Sequence, residues 1–220
     1  MEETWLLERI MWLIPLVLSL TVHEWAHAYS AFRLGDDTAA RMGRLTLNPV
    51  PHIDPIGTIL LPLLGIPFGW AKPVPVNPSN FDRKVSMRTG DVIVSAAGPF
   101  SNLVLAVLCV LLLAVLFRFA PQMMLENEGV PTLLQRGFIV NIVLAIFNML
   151  PVPPLDGGHV ANGLMPRRFR PQWERFAAVG PVVLLAVIFL PSLLNFSLFS
   201  WPLYHASNAA SAVIGAIVGF

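Results

Sequence analysis

The stretch Leu20-Thr21-Val22-His23-Glu24-Trp25-Ala26-His27-Ala28-Tyr29-Ser30-Ala31-Phe32-Arg33 sets three ionisable side chains inside an apolar run that begins near Trp5. On a helix, positions i and i+4 share a face, so the His23 and His27 imidazoles point the same way and can share one metal ion. Glu24 stands beside the first of them, close enough to act on a water there without being a ligand. An ionisable side chain at mid-membrane costs about 2.5–3.5 kcal/mol on insertion scales, so such residues face a polar interior and serve a purpose. The plain alternative is a pair of core histidines with Glu24 as a buried partner. Three ionisable groups within five positions argue against it.

The rest of the composition agrees with a membrane setting. The chain has 220 residues, of which 55% are hydrophobic and only 12% charged, where soluble domains carry about 25% charged residues. Its mean hydropathy is +0.68. This is an integral membrane protein surrounded by the lipid bilayer. A net charge of +1 gives no reason to expect a nucleic acid partner. The single Cys109 excludes a disulfide framework and a thiolate metal cluster, and reads as a packing residue. Glu2, Glu3 and Glu8 replace the basic region of a signal peptide, so the first run reads as a retained span.

These patterns predict an all-α polytopic membrane protein with about five to six transmembrane helices plus a re-entrant or hairpin segment. One membrane domain covers residues 1–220, with a core at about 5–165 and C-terminal helices at about 176–220. The first helix runs from about Trp5 to Leu34, with Gly35 as its stop. The alternation from Ala40 to Leu47 suits a short strand or hairpin, whose edge can pair with an unwound peptide. Ile56 to Phe68 is apolar but interrupted by Pro62, Gly65 and Pro67, too short to span and suited to a re-entrant segment. Lys72 to Pro78, in a polar loop, is expected to be extended.

Val92 to Phe117 is a clear span, entered through Ala97-Gly98-Pro99-Phe100-Ser101-Asn102, where small residues allow close helix contact. Another runs from about Thr132 to Leu150 and is broken by Pro151, Pro153 and Pro154 ahead of Asp156-Gly157-Gly158-His159. Two final segments, about Phe176 to Leu194 and Phe199 to Phe220, have ends blurred by Pro181, Pro191 and Asn195. Lys and Arg concentrate in the loops around 33–55, 69–91 and 157–175, which places those loops in the cytoplasm. His23, Glu24 and His27 then fall in the inner half of the first helix, and Asp156 at the inner end of the span before it. Both motifs lie on one side of the membrane, as a shared site requires.

His23-Glu24-Trp25-Ala26-His27 is the H-E-x-x-H arrangement of zinc metalloproteases. Catalytic zinc normally takes three protein ligands plus a water, so two histidines leave it one short. The remaining candidates are Asp54, Asp156, His52, His159 and His205. Asp156 is best placed, because it follows a proline-broken helix end, and Gly157 and Gly158 permit close approach of another segment. His159 reads as structural or as a partner of a ligand. His52 and Asp54 read as turn residues, and His205 as a packed core residue.

The motif, followed by Asn148-Met149-Leu150-Pro151-Val152-Pro153-Pro154-Leu155-Asp156-Gly157, resembles the site-2 protease family of intramembrane zinc metalloproteases. Every fixed position of that family's N-x-x-P-x-x-x-x-D-G signature is matched, and Gly98-Pro99-Phe100-Ser101-Asn102 resembles its G-P-x-x-N element. The resemblance covers about residues 5–165. It implies one zinc per chain held by His23, His27 and Asp156, Glu24 as general base, and Asn148 holding substrate or stabilising the oxyanion. Members often carry a PDZ or a cystathionine-synthase-type domain, for which this chain has no room.

The implied activity is zinc-dependent endopeptidase cleavage of a transmembrane protein substrate near its cytoplasmic end, after local unwinding, because a helix hides its carbonyls in hydrogen bonds. A prokaryotic cytoplasmic (inner) membrane is the expected location, and no feature specifies an oligomeric state. Two rivals belong to other classes. A membrane metal transporter or sensor has no need of Glu24 or of the Asn148-to-Asp156 spacing. A non-catalytic binder of transmembrane segments is expected to have lost Glu24 or a ligand.

Overall fold

The computed structural model describes residues 2–66, 69–194 and 199–219. Helix α1 runs Glu2–Arg33. Its stretch Trp5–Arg33 has 29 residues and at 1.5 Å per residue reaches about 44 Å, beyond the ~30 Å bilayer core. Leu20, His23, Glu24, His27 and Ala31 are buried along one stripe, while Leu7, Ile14 and Leu18 are exposed on the other side. That is the pattern of a helix packed against protein on one face and lipid on the other. Gly35, with φ +104°, ends it as expected.

The strand expected at Ala40 to Leu47 is not there. Helix α2, Thr38–Arg41, occupies its start, and Gly43 at φ +68° turns the chain back so that the Arg44 N–H donates to Ala39 O at 2.8 Å. Burial does not follow the alternation: Ala39 and Arg44 are buried, while Met42 and Leu47 are exposed. Local bonds from i to i−3, i−4 and i−5 satisfy this backbone where a strand has no neighbour to pair with. No strand occurs among the described residues, so pairing of a substrate with an edge at 40–47 has no basis.

Pro55–Leu60 forms π-type helical turns that continue into α3, Leu61–Leu63. The short segment expected at Ile56 to Phe68 is therefore helical up to Leu63. Its end at Pro67 and Phe68 lies outside the described residues. Lys72 to Asn77 has no regular structure. The longest helix is α4, Met87–Phe119, followed by α5, Pro121–Glu126, where a loop was expected, and α6, Gly129–Asn148. Helix α7, Asp156–Leu164, comes next, then α8, Arg170–Leu193, and α9, Ser200–Val218. The blurred boundary at Asn195 and the end at Phe220 lie outside the described residues.

Among the described helices, α1, α4, α6 and the stretch Arg167–Pro191 are long and apolar enough to cross a membrane. Of the expected five to six spans, these four meet both length and apolarity among the described residues; α9 has the length but carries His205 and Asn208 and is not among them. Helix α4 is the centre of the bundle and packs on α1, α6, α7 and α9. Its buried stripe of Gly90, Val94, Gly98, Asn102, Ala106 and Val110 repeats every four residues, and α6 matches it with Gly137, Asn141 and Ala145. Small residues at that spacing let helix axes approach closely. The Arg88 guanidinium on α4 donates to the carbonyls of Gly163 and Met165, which fastens the C-terminal end of α7 to the bundle.

Candidate active site

Helix α1 places the two imidazoles, and α4 fixes how they face. The ring nitrogen His27 Nδ1 lies 2.7 Å from Val94 O. A carbonyl only accepts, so Nδ1 carries the proton and the lone pair of the neutral ring sits on Nε2. The ring of His23 is set by a longer chain of hydrogen bonds. Asn141 Nδ2 donates to Gly137 O at 2.8 Å, which turns Asn141 Oδ1 toward Asn102. Asn102 Nδ2 donates to that oxygen at 2.8 Å and to Ser19 O at 3.3 Å, so Asn102 Oδ1 faces His23 Nδ1 at 2.7 Å and accepts from it. Both rings thus turn their Nε2 atoms to the same point. Asn141 is a residue that sequence reasoning missed. Its only trace is an Asn inside an apolar span, where an amide needs partners.

Asp156, the first residue of α7, completes the cluster. Its Oδ2 lies 3.2 Å from His23 Nε2 and its Oδ1 3.4 Å from His27 Nε2, while the two Nε2 atoms are 3.0 Å apart. Four-coordinate zinc with bonds of 2.0–2.1 Å separates its ligand atoms by about 3.3–3.4 Å. The observed spacings, with each imidazole facing a different oxygen of the carboxylate, are close to that range. Asp156 Oδ2 is buried and, despite its nearness to His23, accepts no hydrogen bond. With neutral rings, two Nε2 lone pairs and a carboxylate converge in a buried site, an arrangement that a cation satisfies. Among the described residues this is the cluster suited to hold a metal ion, and its donor set fits zinc.

Glycines let these elements meet. A Cβ on Gly98 would lie 2.4 Å from His27 Nε2 and 2.7 Å from His23 Cε1, so α4 presses bare backbone against the imidazoles. A Cβ on Gly157 would lie 2.3 Å from Met149 O and 2.4 Å from Leu150 O. The proline-containing turn after α6 therefore stacks directly on the start of α7, which aims Asp156 inward.

Glu24 is buried, and its Oε2 accepts from the Val74 N–H at 2.9 Å. The carboxylate opens on a cavity of about 700 Å³, which His23, His27, Asp156, Asn148 and His159 also line. Asn148 Nδ2 donates to Leu144 O at 3.0 Å, within its own helix, which leaves its carbonyl oxygen uncommitted. The donor segment of Val74 is held in turn by Asp36, a fully buried residue that accepts from Asn77 N at 2.7 Å and Asn80 Nδ2 at 2.9 Å. Burial alone pushes the Asp36 carboxyl up, but bonds from Thr38, Asn77 and Asn80 outweigh it and hold the group below its ordinary value.

The other residues weighed for the metal lie elsewhere. His52 is buried with Nε2 2.9 Å from Thr46 O. Asp54 caps the turns at Pro55–Leu60, accepting from Ile56 N and Gly57 N. His159 pairs with Asp91 at 3.4 Å. His205 is not a core residue as expected: it is exposed, with its ring against Trp201 and Tyr204. Cys109 packs against Gly137.

The Peptidase family M50 model matches residues 119–191, the stretch that holds α6, the proline-containing turn and Asp156. The chain is 42% identical over 196 residues to YwhC of Bacillus subtilis, named as a candidate zinc metalloprotease, covering 89% of this chain and 86% of that one. To Rip2 of Mycolicibacterium smegmatis, likewise named, it is 30% identical over 206 residues, covering 91% and 75%. No solved structure matches the chain. Sequence kinship at this identity and coverage, together with the family-model match, places the chain in peptidase family M50, the site-2 protease family of membrane metalloproteases.

Proposed function

We propose that the chain is an intramembrane zinc endopeptidase that holds one zinc ion through His23, His27 and Asp156 and hydrolyses peptide bonds of transmembrane substrates near their cytoplasmic ends. The observation that carries this reading is the convergence of the His23 and His27 Nε2 atoms on the Asp156 carboxylate, with spacings of 3.0–3.4 Å, set by helices from two distant parts of the sequence. Zinc bound there supplies a Lewis acid for the scissile carbonyl and acidifies water. Glu24, adjacent in sequence to a ligand and opening on the cavity, takes the proton from the attacking water and delivers it to the leaving amine. The Val74 N–H bond to Oε2 orients the carboxylate and leaves Oε1 for that exchange. Asn148 offers its amide to the substrate backbone.

The basic loops put the mouth of the cavity on the cytoplasmic side. In that orientation α1 runs inward, α4 outward, α6 inward and α8 outward, and α9 returns. The site then lies where water reaches it, and a substrate helix must unwind to present its carbonyls. The setting is a prokaryotic cytoplasmic membrane.

The test is zinc content and cleavage of a single-span substrate by the purified protein, alongside Glu24→Gln and Asp156→Ala. One zinc per chain with cleavage, zinc without cleavage in the Gln variant and weakened zinc in the Ala variant are expected. Equal zinc in the wild type and Asp156→Ala would move the third ligand elsewhere. Metal flux in vesicles with no cleavage would favour a transporter.

A further inference from the structure

Asp156 and His159 are one turn apart on α7, and residues at i and i+3 share a helix face. Both line the cavity that holds the cluster, as does Asp91 from the first turns of α4. His159 Nδ1 lies 3.4 Å from Asp91 Oδ2, and the His159 side chain is 54% exposed. Its Nε2 has no partner among the described residues. The pair is not needed to join α4 to α7, because Arg88 already does so through two carbonyls. A half-exposed ion pair adds little to stability on its own. What it does is fix an imidazole with one nitrogen committed to a carboxylate and the other open to the cavity.

We propose that His159, oriented by Asp91, is a substrate-binding residue whose Nε2–H donates to a backbone carbonyl of the unwound peptide beside the scissile bond. The inference rests on the proteolytic reading. The groups facing the ring are Asp91 on α4, Asp156 on its own helix and His27 on α1. The hydrogen bond with Asp91 is the largest influence and pushes the His159 pKa up. Partial burial opposes it, the charges of Asp91 and Asp156 add to it, and His27 subtracts. The raised value keeps the ring cationic to higher pH, with donors on both nitrogens, which suits it to a carbonyl and makes it useless as an acceptor there. A charge-assisted bond of this kind outweighs a neutral one. Because the donor exists only in the cationic form, substrate binding is strongest below the raised pKa and weakens as pH rises through it.

The experiment measures zinc content, kcat and KM against pH for wild type, His159→Ala, His159→Gln and Asp91→Asn, with a synthetic single-span peptide carrying helix-breaking residues near its cytoplasmic end. His159→Ala is expected to raise KM roughly tenfold or more with one zinc retained. His159→Gln, which keeps an N–H donor, should recover part of the loss without the pH dependence. Asp91→Asn should move the rise in KM to lower pH. Unchanged KM and pH profile in the Ala variant would overturn this inference alone. Absence of cleavage by the wild type would overturn the proteolytic reading and this inference with it.

Discussion

Replacing Gly98 by Ala should damage the metal site while sparing the fold. The added Cβ would sit 2.4 Å from His27 Nε2, 2.6 Å from His27 Cε1 and 2.7 Å from His23 Cε1. Comfortable heavy-atom contact is about 3.5 Å or more, so something must give by ~1 Å. The rings cannot swing freely, because His27 Nδ1 is bonded to Val94 O and His23 Nδ1 to Asn102 Oδ1, both on the helix that carries the intruding methyl. Moving α4 away drags those anchors with it. The displacement therefore falls on the Nε2 atoms, where a metal site tolerates only about 0.2 Å of error. A misplacement of ~1 Å costs on the order of 100-fold in rate, and zinc affinity should fall by roughly 10- to 100-fold. Chelator competition and peptide cleavage in detergent measure both, with circular dichroism reporting the helices. Zinc affinity within twofold of wild type and full activity in Gly98→Ala would refute this reasoning.

Other perturbations test neighbouring parts of the site. Asn102→Ala removes the acceptor of His23 Nδ1 and the donor to Asn141; stability should fall by about 1–3 kcal/mol and zinc affinity by about 10-fold or more, read by unfolding and competition titrations. Gly157→Ala meets backbone carbonyls at 2.3 and 2.4 Å, which cannot rotate away, so Asp156 should be displaced and zinc weakened more than by Gly163→Ala, where the conflict is with the side chain of Val92. The Asp36 carboxyl, whose pKa is lowered on folding, contributes stability that is present above its unfolded value of about 3.9 and lost as pH falls through the folded one. Asp36→Asn should flatten the acid limb of a melting-temperature profile below about pH 4; an unchanged limb would show that other groups set it.

The parts of the site legible in the sequence are those fixed by covalent spacing. His23 and His27 are a helical turn apart, so any helix puts them on one face. Asp156, following Pro153 and Pro154, has to leave α6 and can turn inward. Gly98 was visible as a small residue, but which side chain it makes room for depends on how α4 crosses α1. Asn141 and Asp36 were not visible as parts of the site for the same reason: their partners lie far away in sequence, Asn102 for the first and Asn77 and Asn80 for the second. The Ala40 to Leu47 alternation misled because a period-two pattern needs a partner strand, and without one the local turns bury Arg44 and expose Met42 and Leu47. His205 misled because an isolated imidazole in an apolar helix was read as core, whereas Trp201 and Tyr204 shelter it at the surface.

The most direct test of the central claim is zinc-edge X-ray absorption on the purified protein, with Asp156→Ala as the comparison. Two imidazole nitrogens and oxygen ligands at about 2.0–2.1 Å, with one protein oxygen lost in the variant, are what this site predicts. Zinc bound with one imidazole, or an environment unaltered by Asp156→Ala, would contradict it.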